Sequence, residues 1–179
     1  AQIFQGHTIV SMQEAGFSEE IDETGTTFEE NALIKARAVS EKLHCAALAD
    51  DSGLCVEALN GAPGVYSARF CGRHGDDAAN NRLLLEKMKD VPEKSRGAYF
   101  ESCVALCLED GRAVTASGRT YGRILQKEEG NGGFGYDPLF FSDELGKSFG
   151  IAEPAEKNGV SHRGKALRTL SERIRELGL

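Results

Sequence analysis

Two adjacent carboxylates, Asp50 and Asp51, stand where the apolar run Ala46, Ala47, Leu48 and Ala49 stops, just ahead of Ser52 and Gly53. A short buried strand that ends in acids and a turn presents charge at the mouth of a sheet, where open α/β folds bind ligands. Successive strand side chains point to opposite faces, so the two acids cannot both serve one ligand, and one of them is expected to anchor the following loop. The chemistry suggested is metal binding, because a hard ion such as Mg²⁺ takes one or two carboxylates together with waters and substrate phosphates. Glu30, in the first turn of a helix ahead of the strand, is the natural second acid. The same residues have a competing structural use. Thr27-Phe-Glu-Glu30 fits a capping box in which Glu30 only reaches back to the Thr27 amide, and Thr26-Thr-Phe-Glu29 fits the box one residue earlier.

A second constellation is Gly130-Asn-Gly-Gly-Phe-Gly135, which formally matches the dinucleotide fingerprint. That fingerprint must open a helix, whereas Tyr136-Asp-Pro138 and an apolar run follow here, and proline disfavours helix at the residue before it. What remains is a pliable backbone beside Phe134, Tyr136 and Asp137. Its aromatics could stack on a flat base while exposed amides read the base edge, or they could simply be core. A third group, Lys157, His162, Arg163 and Lys165, gathers potentially cationic side chains ahead of and into the closing helix. Free amides and the macrodipole at a helix start attract anions, so Lys157, His162 and Arg163 suit a triphosphate clamp, with a solvated rim as the alternative. A metal site, a base site and a phosphate site are together what a nucleoside triphosphate requires.

The elements that must position these groups follow from periodicity. Residues 7–12 read as a strand, and apolar positions from Phe28 to Leu43 recur at three and four, predicting a helix that ends near His44. Asp76 or Asp77 caps a second helix carrying Leu83, Leu84, Leu85 and Met88. Residues 98–108 form a buried strand that turns at Asp110-Gly111 into a partner over 113–117. Residues 138–141 are another short strand, 142–161 a loop, and Leu167, Leu170, Ile174 and Leu177 mark the last helix. The order is α/β with a hairpin, so the sheet is expected to be mixed.

Composition narrows the function. The 179 residues suit a single domain, and a net charge of -7 disfavours a nucleic-acid partner. Five cysteines without a Cys-x-x-Cys pair read as buried thiols rather than a disulfide or zinc framework. No apolar run approaching about 20 residues is present, so a cytoplasmic protein without a signal peptide or a membrane partner is expected.

Thr24-Gly-Thr-Thr-Phe-Glu-Glu-Asn-Ala32, Ala49-Asp-Asp-Ser-Gly-Leu54, Gly61-Ala-Pro-Gly-Val-Tyr-Ser-Ala-Arg69, Gly133-Phe-Gly-Tyr-Asp-Pro138, Glu156-Lys-Asn158 and Ser161-His-Arg-Gly164 occur in that order. Together they resemble the inosine triphosphate pyrophosphatase family. The resemblance implies a long mixed β-sheet with helices forming two lobes around a central substrate cleft, a homodimer, and Mg²⁺-dependent hydrolysis of ITP, dITP and XTP to monophosphate and pyrophosphate. It makes Asp51 the water-activating acid and a metal ligand with Glu30. Ser52 would touch the substrate, Phe134, Gly135, Tyr136 and Asp137 would hold the base, and Lys157, His162 and Arg163 would bind phosphate and base. The resemblance also implies a leading strand and a Ser/Thr-x-Asn-x-x-Lys phosphate loop. Here the first Asn is Asn31 and the first Lys is Lys35, so that element is expected to be missing and the chain poorly active without it. The competing expectations are a non-catalytic nucleotide-binding module and a related pyrophosphatase for other modified nucleotides.

Overall fold

Thr27 caps the first helix: its side chain accepts the Glu30 amide, the Glu30 side chain answers to the cap backbone, and α1 runs Phe28–Leu43. His44 ends it in the left-handed conformation. The computed structural model describes residues 7–178. The helix buries Phe28, Ala32 and Ala36 against β1 (Ala47–Val56) and β2 (Gly97–Cys107), where Cys55, Cys103, Ala105 and Cys107 complete an apolar layer. Small residues on both sides let the helix lie close to the sheet.

β1 pairs antiparallel with β2, and β2 with β3 (Ala113–Ile124) across the Asp110-Gly111 turn. Two short strands, β4 (Phe140–Ser142) and β5 (Lys147–Ser148), extend the sheet in the order β1-β2-β3-β4-β5. The expected α/β fold is present. The expected mixed sheet is corrected: among the described residues every pairing is antiparallel, because each strand lies beside its neighbour in sequence.

α4 (His162–Leu177) packs on the opposite face from α1, burying Ala166 and Leu170 on Val104 and Ala116. α2 (Asp77–Met88) supplies Leu84 and Met88 to a third cluster with Leu54, Val56, Phe100, Phe140 and Phe149. The buried Arg96 guanidinium ties this end together, donating to the carbonyls of Met88, Val91, Ile124 and Leu125.

Three local expectations fail. Residues 7–12 form no strand and are exposed. The first strand does not stop at its acids but continues to Val56, placing Asp50 and Asp51 mid-strand, each satisfied by a different helix. The loop over 142–161 contains β5 and a helix, α3 (Pro154–Val160), whose capping box between Glu153 and Glu156 has no apolar stripe to announce it. Of the cysteines, Cys55, Cys103 and Cys107 are buried, while Cys45 is exposed. Among the described residues no helix is long and apolar enough to cross a membrane.

Candidate active site

Side-chain alternation along β1 decides what each acid meets. Asp51 faces α1, where its Oδ1 accepts from Lys35 Nζ at 3.0 Å and its Oδ2 from Asn31 Nδ2 at 3.1 Å. Asn31 and Lys35 are four apart and so share a helix face. Lys35 also donates to Glu23 at 2.9 Å, and Arg69 lies 3.8 Å from the same carboxylate, making a chain of alternating charge. Asp51 is 9% exposed, and burial pushes its carboxyl above the ordinary range despite Lys35 and Asn31 pulling it down. A carboxylate more basic than usual and fixed by two donors is suited to accepting a proton from water.

Asp50 faces the other side, where Arg163 Nε donates to its Oδ2 at 2.8 Å and Arg163 Nη2 lies 3.4 Å from Ser52 Oγ. The two acids therefore separate as alternation requires, and Asp50 ties β1 to α4 rather than anchoring a following loop. Glu30 forms the capping box: its Oε2 accepts from Thr26 N, Thr26 Oγ1 and Thr27 N, which hold its pKa below the usual value. Glu29 is not its substitute but accepts from Thr115 Oγ1 at 2.7 Å. Among the described residues no group of three or more His, Cys, Asp or Glu is arranged around a metal position. Asp51 and Glu30 offer hard carboxylate oxygens, the ligand type that Mg²⁺ takes together with water and phosphate.

The base segment divides. Phe134 is 62% exposed and walls a pocket of about 220 Å³ shared with Gly133, Phe149, Lys157, Asn158, His162 and Arg163. Asp137 is buried, its Oδ2 accepting from Phe134 N at 2.8 Å and from Lys157 Nζ, whose ammonium also lies 4.5 Å from the Phe134 ring centre. Tyr136, expected to hold the base, is buried in the core and donates its hydroxyl to Ser67 O at 2.8 Å. Gly135 has φ +59 and is bonded to α2 through its N–H and its carbonyl.

His162 departs from the cationic clamp. It is 7% exposed, stacked 4.9 Å from Phe100, and burial together with Arg163, Lys157 and Lys165 drives its pKa down to about 3. It is a neutral ring at the pocket wall, with Nδ1 buried and unpartnered. Lys157 likewise belongs to Asp137 rather than standing free for phosphate.

The structure thus gathers Phe134, Lys157, His162 and Arg163 at one pocket, with Asp137 buried behind Lys157, and joins Ser52 to it through Arg163. Asp51 lies on the opposite face of β1 and is not part of the pocket wall. Sequence reasoning overlooked Asn31, Lys35 and Glu23. The available signal was an Asn beside the Phe28, Ala32 and Ala36 stripe, with a Lys one turn later.

The family model described as the Ham1 family matches residues 1–173. A protein of Mycolicibacterium paratuberculosis named dITP/XTP pyrophosphatase is 52% identical over 166 residues, covering 92% of this chain and 81% of that protein. A Streptomyces coelicolor protein of the same name is 46% identical over 96% of this chain and 86% of its own. Among solved structures, the Ham1 protein of Staphylococcus aureus superposes with a TM-score of 0.91 at 35% identity, over 98% of this chain and 91% of that one.

Proposed function

The chain belongs to the Ham1 family, and we propose that it hydrolyses the triphosphates of deaminated purines, ITP, dITP and XTP, to the monophosphate and pyrophosphate. The observation that carries this assignment is the pocket in which the exposed Phe134 ring stands beside the Asp137-held Lys157. A planar base stacks on Phe134, and the lysine offers N–H donors that a 6-oxo purine accepts. A 6-amino purine presents donors there instead and sets them against the lysine's own N–H groups, a mismatch that a polar site rejects far more strongly than a missing methylene. The neutral His162 forms a flat wall without adding charge.

From the pocket the ribose and phosphates run past Arg163 and Ser52 and over β1 toward Asp51. There the carboxylate, held by Asn31 and Lys35, orients water and accepts its proton as the bond between the first and second phosphates breaks. Glu30 and Asp51 would hold Mg²⁺, which when bound offsets charge on the phosphate oxygens. The partner beyond substrate is a second copy of the chain, a reading supported by the open β2–β3 face that leaves Tyr121 53% exposed beside Tyr99; light scattering that finds only monomer overturns it. Pyrophosphate release from ITP, XTP, dTTP and ATP, with Mg²⁺ and with chelator, tests the activity. ITP and XTP are expected to turn over at least about 100-fold better than ATP, and only with metal. Equal rates on ITP and ATP would end the assignment.

A further inference from the structure

An exposed ring cannot fix its own position by packing. Phe134 is 62% exposed, so its place over the pocket is inherited from the backbone that carries it. That backbone is gripped from behind by α2. Asp77 Oδ2 accepts the Gly135 N–H at 2.8 Å, and Asn81 Nδ2 donates to the Gly135 carbonyl at 3.2 Å. Asp77 and Asn81 are four apart on one helix face, which lets them close on one residue from both of its polar groups. Asn81 Nδ2 also donates to Glu128 Oε1 at 3.0 Å; both partners are acceptors, which fixes the amide and leaves its Oδ1 buried without a partner. Gly135 itself is in the left-handed region, where glycine's own preference does not select one conformer.

We propose that Asp77 and Asn81 are positioning residues for base recognition, holding Gly135 so that Phe134 and Asp137 present the stacking face and the lysine anchor together. The inference rests on the assignment of this pocket to the base. It explains why α2 opens with an acid whose carboxylate bonds a residue of another segment, while Asp76 does the capping.

The experiment measures KM and kcat for ITP, the ITP/ATP ratio of kcat/KM, the calorimetric affinity for inosine monophosphate, and Tm, for Asp77→Ala, Asp77→Asn, Asn81→Asp and Phe134→Ala. Asp77→Ala is expected to raise KM roughly tenfold with kcat within about twofold, and to lower the ITP/ATP ratio. Asp77→Asn retains an oxygen that accepts from Gly135 and stays within about twofold of the parent. Asn81→Asp turns an acceptor toward two acceptors and follows Asp77→Ala. Monophosphate affinities fall in the same order. Asp77→Ala with parental KM, selectivity and monophosphate affinity beside an impaired Phe134→Ala overturns the proposal, as do losses in both Asp77 variants that track Tm alone. An unimpaired Phe134→Ala instead removes the base pocket, and this inference with it.

Discussion

His162 is the residue whose environment most changes its chemistry. A lone histidine in a basic motif suggests a cation, yet enclosure against Phe100 and three nearby cations hold its pKa near 3. The consequence for stability has a definite sign. The folded pKa lies below the unfolded one, so the unfolded chain takes up a proton first. This contribution is complete above the unfolded value of 6.5 and is lost as pH falls toward 3, at about 1.4 kcal/mol per pH unit. Urea unfolding at pH 7, 5.5 and 4.5 should show the parent losing stability faster than His162→Gln, and parallel losses would refute the neutral ring. Asp51 supports a different prediction. Asp51→Asn keeps an oxygen for Asn31, and Lys35 retains Glu23, so the fold should hold within a few degrees of Tm. Turnover should drop at least about 100-fold as the proton acceptor is lost. Parental rates would take Asp51 out of the chemistry. Alternation alone made the split between Asp50 and Asp51 legible. The ion pair that occupies Asp50 was not, because Arg163 is 113 residues away.

At the scale of elements, the pocket depends on how closely α4 lies on the sheet. Gly118 of β3 makes that approach possible: a Cβ there would stand 2.5 Å from Ala166 N and 2.8 Å from Lys165 Cβ. Gly118→Ala must therefore push away the first turn of α4, which carries His162 and Arg163. Overpacking of this kind costs about 1–3 kcal/mol, and the monophosphate should bind more weakly than the loss of stability alone explains. A variant with parental Tm and affinity would show that the helix yields freely. The helices α1, α2 and α4 were readable because long amphipathic or capped stretches fix a period. Glu30 was legible as a capping residue for the same reason. The full length of β1 was obscured by its charged centre, which only the facing helices neutralise. α3 was hidden because seven residues with no apolar stripe leave no period to detect.

Over the whole molecule, β1 acts as a partition. Odd-numbered positions from Ala49 to Cys55 meet α1, and even-numbered positions meet α4 or the aromatic cluster, so one strand serves two different chemical environments. The sequence could name candidate acid, base and phosphate groups by type and spacing. It could not say that Asp51 and the Phe134 pocket lie on opposite faces, since that depends on which helix covers each face of the sheet. The partition has a kinetic consequence. Asp51 is held by Asn31 and Lys35, while Phe134 is held through Asp137, and the two sets share no hydrogen-bond partner. Substitutions on separate faces with no common partner should combine with little coupling, within about 0.5 kcal/mol. Lys35→Met should lower kcat by loosening Asp51, and Phe134→Ala should raise KM for ITP by removing the stacking face. The double variant should then show the product of the two effects on kcat/KM to within about threefold. A departure of tenfold or more would mean that the strand transmits strain between its faces, and base binding and water activation would then have to be treated as one coupled event.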